Sequence, residues 1–163
     1  MKNKVMAIPS GYSSITPYLI VNNAAKAIEF YKKAFHAIEV LRFNAPNQKI
    51  GHAELTIGDS KIMLADEFPE MNAHAPTANS ASPVSLHLYV EDVDSVVARA
   101  VAAGATLTRP VENKFYGDRS GLLIDPFGHI WAVSTHVEDV SEDELQKRAS
   151  TQGMNLKEVV TPK

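Results

Sequence analysis

The sequence predicts an α+β fold of two paired βαβββ modules whose sheets form a concave cup. Three observations predict it. Strand-like and helix-like stretches occur twice in the same order, strand-helix-strand-strand-strand. Apolar positions of the second half repeat those of the first at a constant step of 69 residues. The chain has 163 residues, 45% apolar and 21% charged, the length and mixture of one globular domain.

Ile15 to Val21 is rich in β-branched and aromatic residues and reads as a strand. Asn22 or Asn23 can cap a following helix, because a short amide side chain accepts from the free N–H groups of the first turn. Ala27, Ile28, Tyr31, Ala34 and Phe35 then recur at helical spacing. Ala37 to Phe43 reads as a strand, and Pro46-Asn47 as a turn. Lys49 to Ile57 alternates, with Ala53, Leu55 and Ile57 on one face and His52, Glu54 and Thr56 on the other. Gly58-Asp59 predicts a tight hairpin returning along Ser60 to Asp66. Residues 67–83 read as a long loop, which in a compact domain suggests a lid or a mobile connection. Asp66, Glu67 and Glu70 read as a solvated hairpin end.

The cycle restarts at Val84 to Val90, a strand. Asp92 is placed to cap a helix whose stripe is Val96, Val97, Ala100 and Val101 and whose end is Gly104. Thr106 to Val111 is a strand stopped by Pro110. Phe115 to Ile124 and Ile130 to His136 are the last two strands, joined by the turn Asp125 to Gly128. Ser141 and Glu144 form a capping box that opens a charged helix, read as a solvated appendage or dimer contact. Residues beyond about Gly153 are expected to fray. The organisation is thus an N-terminal extension (1–14), one domain over 15–140 and a C-terminal helix and tail (141–163). Its modules span 15–66 and 84–136.

The 69-residue step maps Leu19 on Leu88, Val21 on Val90, Ile28 on Val97, Leu55 on Ile124, Ile62 on Trp131 and Leu64 on Val133. A step held across several elements points to a duplicated unit, and a duplicated unit fixes the fold. Paired modules leave a concave polar face, the kind of surface where small ligands bind.

Composition excludes several functions. A net charge of −3 without a Lys/Arg run argues against a nucleic-acid footprint. Without cysteine there is no disulfide, thiolate metal site or Cys nucleophile. The first residues do not read as a signal peptide, and no stretch approaches the roughly 20 apolar residues of a membrane span. A cytoplasmic location with no membrane partner is expected. There is no phosphate loop, dinucleotide glycine pattern or Ser-His-Asp elbow.

ITPYLIVNNAAKAIEFYKKAF, GHAELTIGDSKIMLADE, SLHLYVEDVDSVVARAVAAGA and FYGDRSGLLIDPFGHIWAVSTHVEDVS together resemble the glyoxalase/bleomycin-resistance/dioxygenase, or vicinal oxygen chelate, superfamily, and within it the PhnB-like branch. The resemblance covers about Ile15 to Ser141. It implies one divalent metal held by His or Glu from the first and last strands of each module, acting as a Lewis acid on neighbouring substrate oxygens. Carried onto this sequence, the ligand slots fall at Thr16, Met63, Ser85 and Ala132. A thioether, a methyl group and two hydroxyls do not make a site for Mg, Mn, Ni or Zn. The resemblance therefore implies the fold and a small-molecule ligand, with no metal at the usual family slots. It also implies a homodimer.

Strand parity points other side chains to the open face: His52 with Glu54, and His87 with Tyr89. Tyr18 is the repeat-mate of His87, and Tyr116, Asp118 and Arg119 sit at the rim or inner face of the seventh strand. Three roles are open to His52, Glu54 and His87. They can hold a divalent metal at a shifted position, act as general acid and base, or satisfy a polar cavity and orient a ligand. Tyr18, Tyr89, Tyr116 and Arg119 are candidates for ligand contact; Arg119 either reaches an anionic group or pairs with Asp118. Trp131 and Phe127 read as core and turn, and His36, His74, His129 and His136 as chemically idle. The function expected is binding of a small polar or anionic molecule in the cup. The alternatives are a lyase, isomerase or oxygenase, a non-catalytic drug-sequestering protein, and a dimeric module with a vestigial cup.

Overall fold

The computed structural model describes residues 5–77 and 82–156. The first module runs β1 (Tyr18–Val21), α1 (Ala24–Phe35), β2 (Ile38–Asn44), β3 (Ile50–Ile57) and β4 (Ser60–Asp66). The second runs β5 (Ser85–Tyr89), α2 (Val93–Ala102), β6 (Thr106–Asn113), β7 (Asp118–Ile124) and β8 (Ile130–His136), and α3 (Glu142–Thr151) follows. Each module makes a four-stranded mixed sheet, ordered β1-β4-β3-β2 and β5-β8-β7-β6. The first strand lies parallel to the fourth, and the other pairs are antiparallel. This is the α+β duplication expected from the sequence.

Helices α1 and α2 start on the same device, a capping side chain backed by a residue of the module's last strand. Asn23 sits in the left-handed region (φ 81°) and its side chain accepts from Lys26 N. Parallel pairing sets Asp66, the last residue of β4, opposite Val21, just before α1. Its Oδ1 accepts from the N–H groups of Asn23 and Ala24, and its Oδ2 from Ile50. Asp66 is buried, which corrects its reading as part of a solvated hairpin end: three backbone donors hold the charge inside. In the second module Asp92 caps α2 through Ser95, and Thr135 on β8 does the work of Asp66. Its hydroxyl accepts from Val93 N and donates to the Val90 carbonyl.

The helical faces of the two sheets share one core. Val21, Ala27, Ile28, Leu55 and Leu64 pack with Val93, Val97, Leu123 and Val133 in one cluster. Asp125, in the turn after β7, joins the modules. It accepts from the Tyr31 hydroxyl at 2.7 Å and the Trp131 indole N–H at 2.9 Å. Phe35 lies against Trp131, and Arg99 on α2 donates to the Ala34 carbonyl on α1. Trp131 and Phe127 are thus core and turn residues, as read from sequence.

The repeat is not uniform. Leu55 pairs with Ile62, while Trp131, the mate of Ile62, pairs with Leu123. Leu55 therefore corresponds to Leu123, not Ile124, and Ile38 to Thr106. The step is 69 along the first strand, helix and fourth strand but 68 through the middle two. One residue is lost between helix and second strand, since Ile38 follows Ala24 by 14 positions and Thr106 follows Val93 by 13. It is regained in the hairpin, where six residues lie between the paired Leu55 and Ile62 but seven between the paired Leu123 and Trp131.

Three boundaries differ from expectation. β6 continues through Pro110 to Asn113 rather than stopping there. It is an edge strand whose register shifts on both sides of Arg109, so no ladder bond is demanded of Pro110. β7 begins at Asp118 because residues 114–117 turn, with Gly117 N–H donating to the Lys114 carbonyl. β1 begins at Tyr18, after Pro17. The segment after β4 carries a one-turn helix (Pro69–Met71) and a Phe68–Ala73 bridge; the expected loop's residues 78–81 lie outside the described residues. Helix α3 docks rather than standing apart: Ala149 is buried, and Arg148 donates to Glu138, Glu144 and the Phe115 carbonyl. Of the ends expected to extend or fray, residues 1–4 and 157–163 lie outside the described residues. No described helix is long and apolar enough to cross a membrane.

Candidate functional site

Strand alternation gives each sheet a face turned away from the helices. On the first sheet one row across the strands reads Tyr18, Met63, Glu54 and Leu41. Two residues along β3, His52 stands on the same face. Its Nδ1 shares a hydrogen bond with the Tyr18 hydroxyl at 2.9 Å, and its Nε2 lies 3.3 Å from Glu54 Oε1. Glu54 is only 8% exposed, although it lies on the open face. Tyr12 covers it: the phenol donates to Glu54 Oε2, and Lys61 Nζ sits 4.8 Å from the centre of the Tyr12 ring. Burial pushes the Tyr18 phenol above its usual value. The result is a continuous chain, Tyr12–Glu54–His52–Tyr18, of groups able to give and take protons.

On the second sheet the matching row reads His87, Ala132, Leu122 and Arg109. His87 and Tyr89 stack with ring centres 4.7 Å apart. Asp118, 4% exposed, accepts from the Tyr89 hydroxyl at 2.8 Å and contacts His136 Nδ1 at 2.8 Å. The hydrogen bond to Asp118 raises the Tyr89 phenol. Asp118, and after it Asp139, raises the His136 imidazole. Asp118 is not the partner of Arg119. That guanidinium makes a two-point contact with Asp94, at 2.6 and 2.7 Å, and also reaches Asn113. Tyr116 is exposed on the turn before β7.

The candidates therefore fall into two groups. Tyr18, His52 and Glu54 touch one another, and His87 touches Tyr89; no hydrogen bond joins the two groups among the described residues. What lies between the modules is a cavity of about 430 Å3. Its walls include Thr16 before β1, Lys61 and Asp59 from the β3–β4 hairpin, His87 and Tyr89 on β5, and Trp131 at the back.

The family metal does not fit. In register, Tyr18 faces Met63 and His87 faces Ala132, so two of the four slots carry a thioether and a methyl group. Among the described residues no three His, Asp or Glu side chains converge on a point that could hold an ion.

Two contributors escaped the sequence reading. Tyr12 lies in the N-terminal extension, where no periodicity says which surface it covers. His136 was legible: it shares a strand face with Ala132 and Ser134 and pairs directly with Asp118. His129 has a structural task, its Nε2 lying 3.0 Å from the Ile20 carbonyl.

The model of the Glyoxalase/Bleomycin resistance protein/Dioxygenase superfamily matches residues 12–133. An uncharacterised protein of Mycobacterium tuberculosis is 43% identical over 143 residues, 86% of this chain and 84% of that protein. Among solved structures, TioX from Micromonospora superposes with a TM-score of 0.59 at 25% identity, over 77% of this chain and 99% of its own. The PhnB protein from Bacillus cereus gives 0.60 at 19% identity, over 76% and 99%, a likeness of fold alone.

Proposed function

Because the chain belongs to the glyoxalase/bleomycin resistance protein/dioxygenase superfamily, we propose that it binds a small polar or anionic molecule between its modules without the superfamily's usual metal. The cavity of about 430 Å3 carries this reading: it has the size of a small-molecule site, an apolar back at Trp131 and Leu88, and convergent polar groups from Thr16, Lys61, His87 and Tyr89. His87 and Tyr89 make the contact with the ligand, and Tyr116 and Arg119 belong to the rim. The protein belongs to the PhnB-like branch, works in the cytoplasm and acts as a homodimer. Exposed Ile38, Val40 and Phe43 on the edge strand β2 support pairing with a second copy.

A second reading rests on a separate observation, the Tyr12–Glu54–His52–Tyr18 chain. In it His52 and Glu54 act as an acid–base pair in lyase, isomerase or oxygenase chemistry, or hold a divalent ion at a shifted position. A drug-sequestering role needs the cavity but not this chain.

A thermal-shift screen with small anionic and aromatic compounds tests the main reading. At least one class stabilises the wild type, and the shift vanishes in His87→Ala. The same screen with Ni, Zn, Mn and Co leaves the melting temperature unchanged. No response to any compound, or an equal response in His87→Ala, overturns the binding site. A metal shift lost in a His52→Ala/His87→Ala variant favours the second reading.

A further inference from the structure

The two sheets carry the same row of four positions, and the rows differ in charge. Across the first sheet it is Leu41, Glu54, Met63 and Tyr18; across the second, Arg109, Leu122, Ala132 and His87. The acid of the first row is already satisfied from within the chain by Tyr12. The cation of the second row is not. Arg109 has neither a hydrogen bond nor an ion pair among the described residues, whereas Arg42, Arg99, Arg119 and Arg148 are all engaged.

The backbone aims Arg109 into a hollow. Register shifts on both sides of it in β6 are the mark of bulging, which re-aims a side chain. The hollow holds about 170 Å3 and is lined by Arg109, Lys114, His87, Tyr116 and Ser120 above a small floor that includes Gly121 and Ala132. Lys114 is tethered to Glu112 at 2.6 Å, which holds its ammonium at the rim. The floor is small by necessity: a Cβ at Gly121 would press on Val111.

We propose that this hollow is an oxyanion subsite, taking the carboxylate or phosphate headgroup of the ligand. The proposal rests on the reading of the chain as a small-molecule binder and deepens it by naming the ligand's charged end. A guanidinium fork meets a two-oxygen anion with paired, charge-assisted hydrogen bonds. Lys114 adds a second positive charge, and Tyr116 and Ser120 add hydroxyls. The volume suits a headgroup and excludes a whole drug-sized molecule. The ligand's remainder extends past His87, which also lines the larger cavity at the module seam.

The test uses the full chain at low ionic strength, titrated with inorganic phosphate and separately with acetate. The readouts are calorimetry and the His87 imidazole resonances. Saturable binding of at least one anion is expected, with a shift at His87. Arg109→Gln weakens that binding about tenfold, the worth of one charge-assisted pair, and leaves the unliganded melting temperature unchanged, because Arg109 makes no hydrogen bond among the described residues. Lys114→Gln weakens it less, and Arg42→Gln, on the other sheet, not at all. Phosphate binding alone names a phosphorylated ligand, and acetate binding alone a carboxylic acid. Equal losses in Arg109→Gln and Arg42→Gln, or no saturable binding of either anion, overturn the subsite. The binding reading then still stands if compounds from the screen bind in a His87-dependent way.

Discussion

Buried carboxylates divide the labour of this protein, and their partners tell which are structural. Asp66 accepts only backbone N–H groups and holds a helix start. Asp118 faces side chains that titrate, Tyr89 and His136. His136 is therefore the residue whose protonation the fold reads. The Asp118 carboxylate, helped by Asp139, lifts its imidazole above the ordinary value near 6.5. A raised folded value means that the unfolded chain releases its proton first. This contribution to stability is complete below the ordinary value and is lost as pH rises through the folded one. Proton NMR will place the His136 midpoint above that of an unfolded control. Asp118→Asn will bring it back down, and an unchanged midpoint would show that the contact does not form in solution.

At the scale of elements, most of the architecture is written in local chemistry. Asn23, Asp92 and Ser141 are short acceptors at helix starts and each caps its helix. The alternation of Ala53, Leu55 and Ile57 against His52 and Glu54 correctly separates core face from open face. What the pattern could not carry was hairpin length, because one extra residue between the paired Leu123 and Trp131, compared with Leu55 and Ile62, displaces the repeat by one without disturbing the apolar rhythm. Nor could it carry Pro110, whose tolerance depends on β6 being an edge. The β6–β7 turn shows how tight such a connection is. Gly117 has φ 100°, and a Cβ there would run into the Glu138 carbonyl, whose side chain anchors α3 through Arg148. Gly117→Ala thus combines a disfavoured backbone with a backbone clash, and costs about 2 kcal/mol or more. Urea unfolding measures it, and a change under about 0.5 kcal/mol, the range of a neutral surface substitution, would contradict the packing described.

For the whole molecule, the candidate site was only half legible, because strand parity reports which face a side chain takes but not which neighbour arrives there. Parity found His52, Glu54, His87 and Tyr89; it could not find Tyr12, which reaches Glu54 from outside any regular element, or show that Arg119 is held by Asp94 on α2. Those contacts depend on how the modules and their extensions are assembled. At the centre of that assembly is a buried polar joint. Tyr31 of the first module and Trp131 of the second both donate to Asp125, and burial, reinforced by Asp125, pushes the Tyr31 phenol well above its usual range. Removing the carboxylate leaves a hydroxyl and an indole N–H unsatisfied in the core, at a cost of about 1–3 kcal/mol each, and takes from the turn the Oδ1 that accepts from the Phe127 and His129 N–H groups. Trp131 is the single tryptophan, so its fluorescence reports on this joint. In the wild type the fluorescence and far-ultraviolet transitions coincide, since one core serves both modules. In Asp125→Ala the denaturation midpoint falls by an amount equivalent to about 3 kcal/mol, and the Trp131 transition runs ahead of the loss of secondary structure as the modules part before they melt. Tyr31→Phe removes one donor and keeps the acceptor, and so costs about 1 kcal/mol with the two transitions still together. If Asp125→Ala unfolds at the wild-type midpoint, the joint does not hold the modules together.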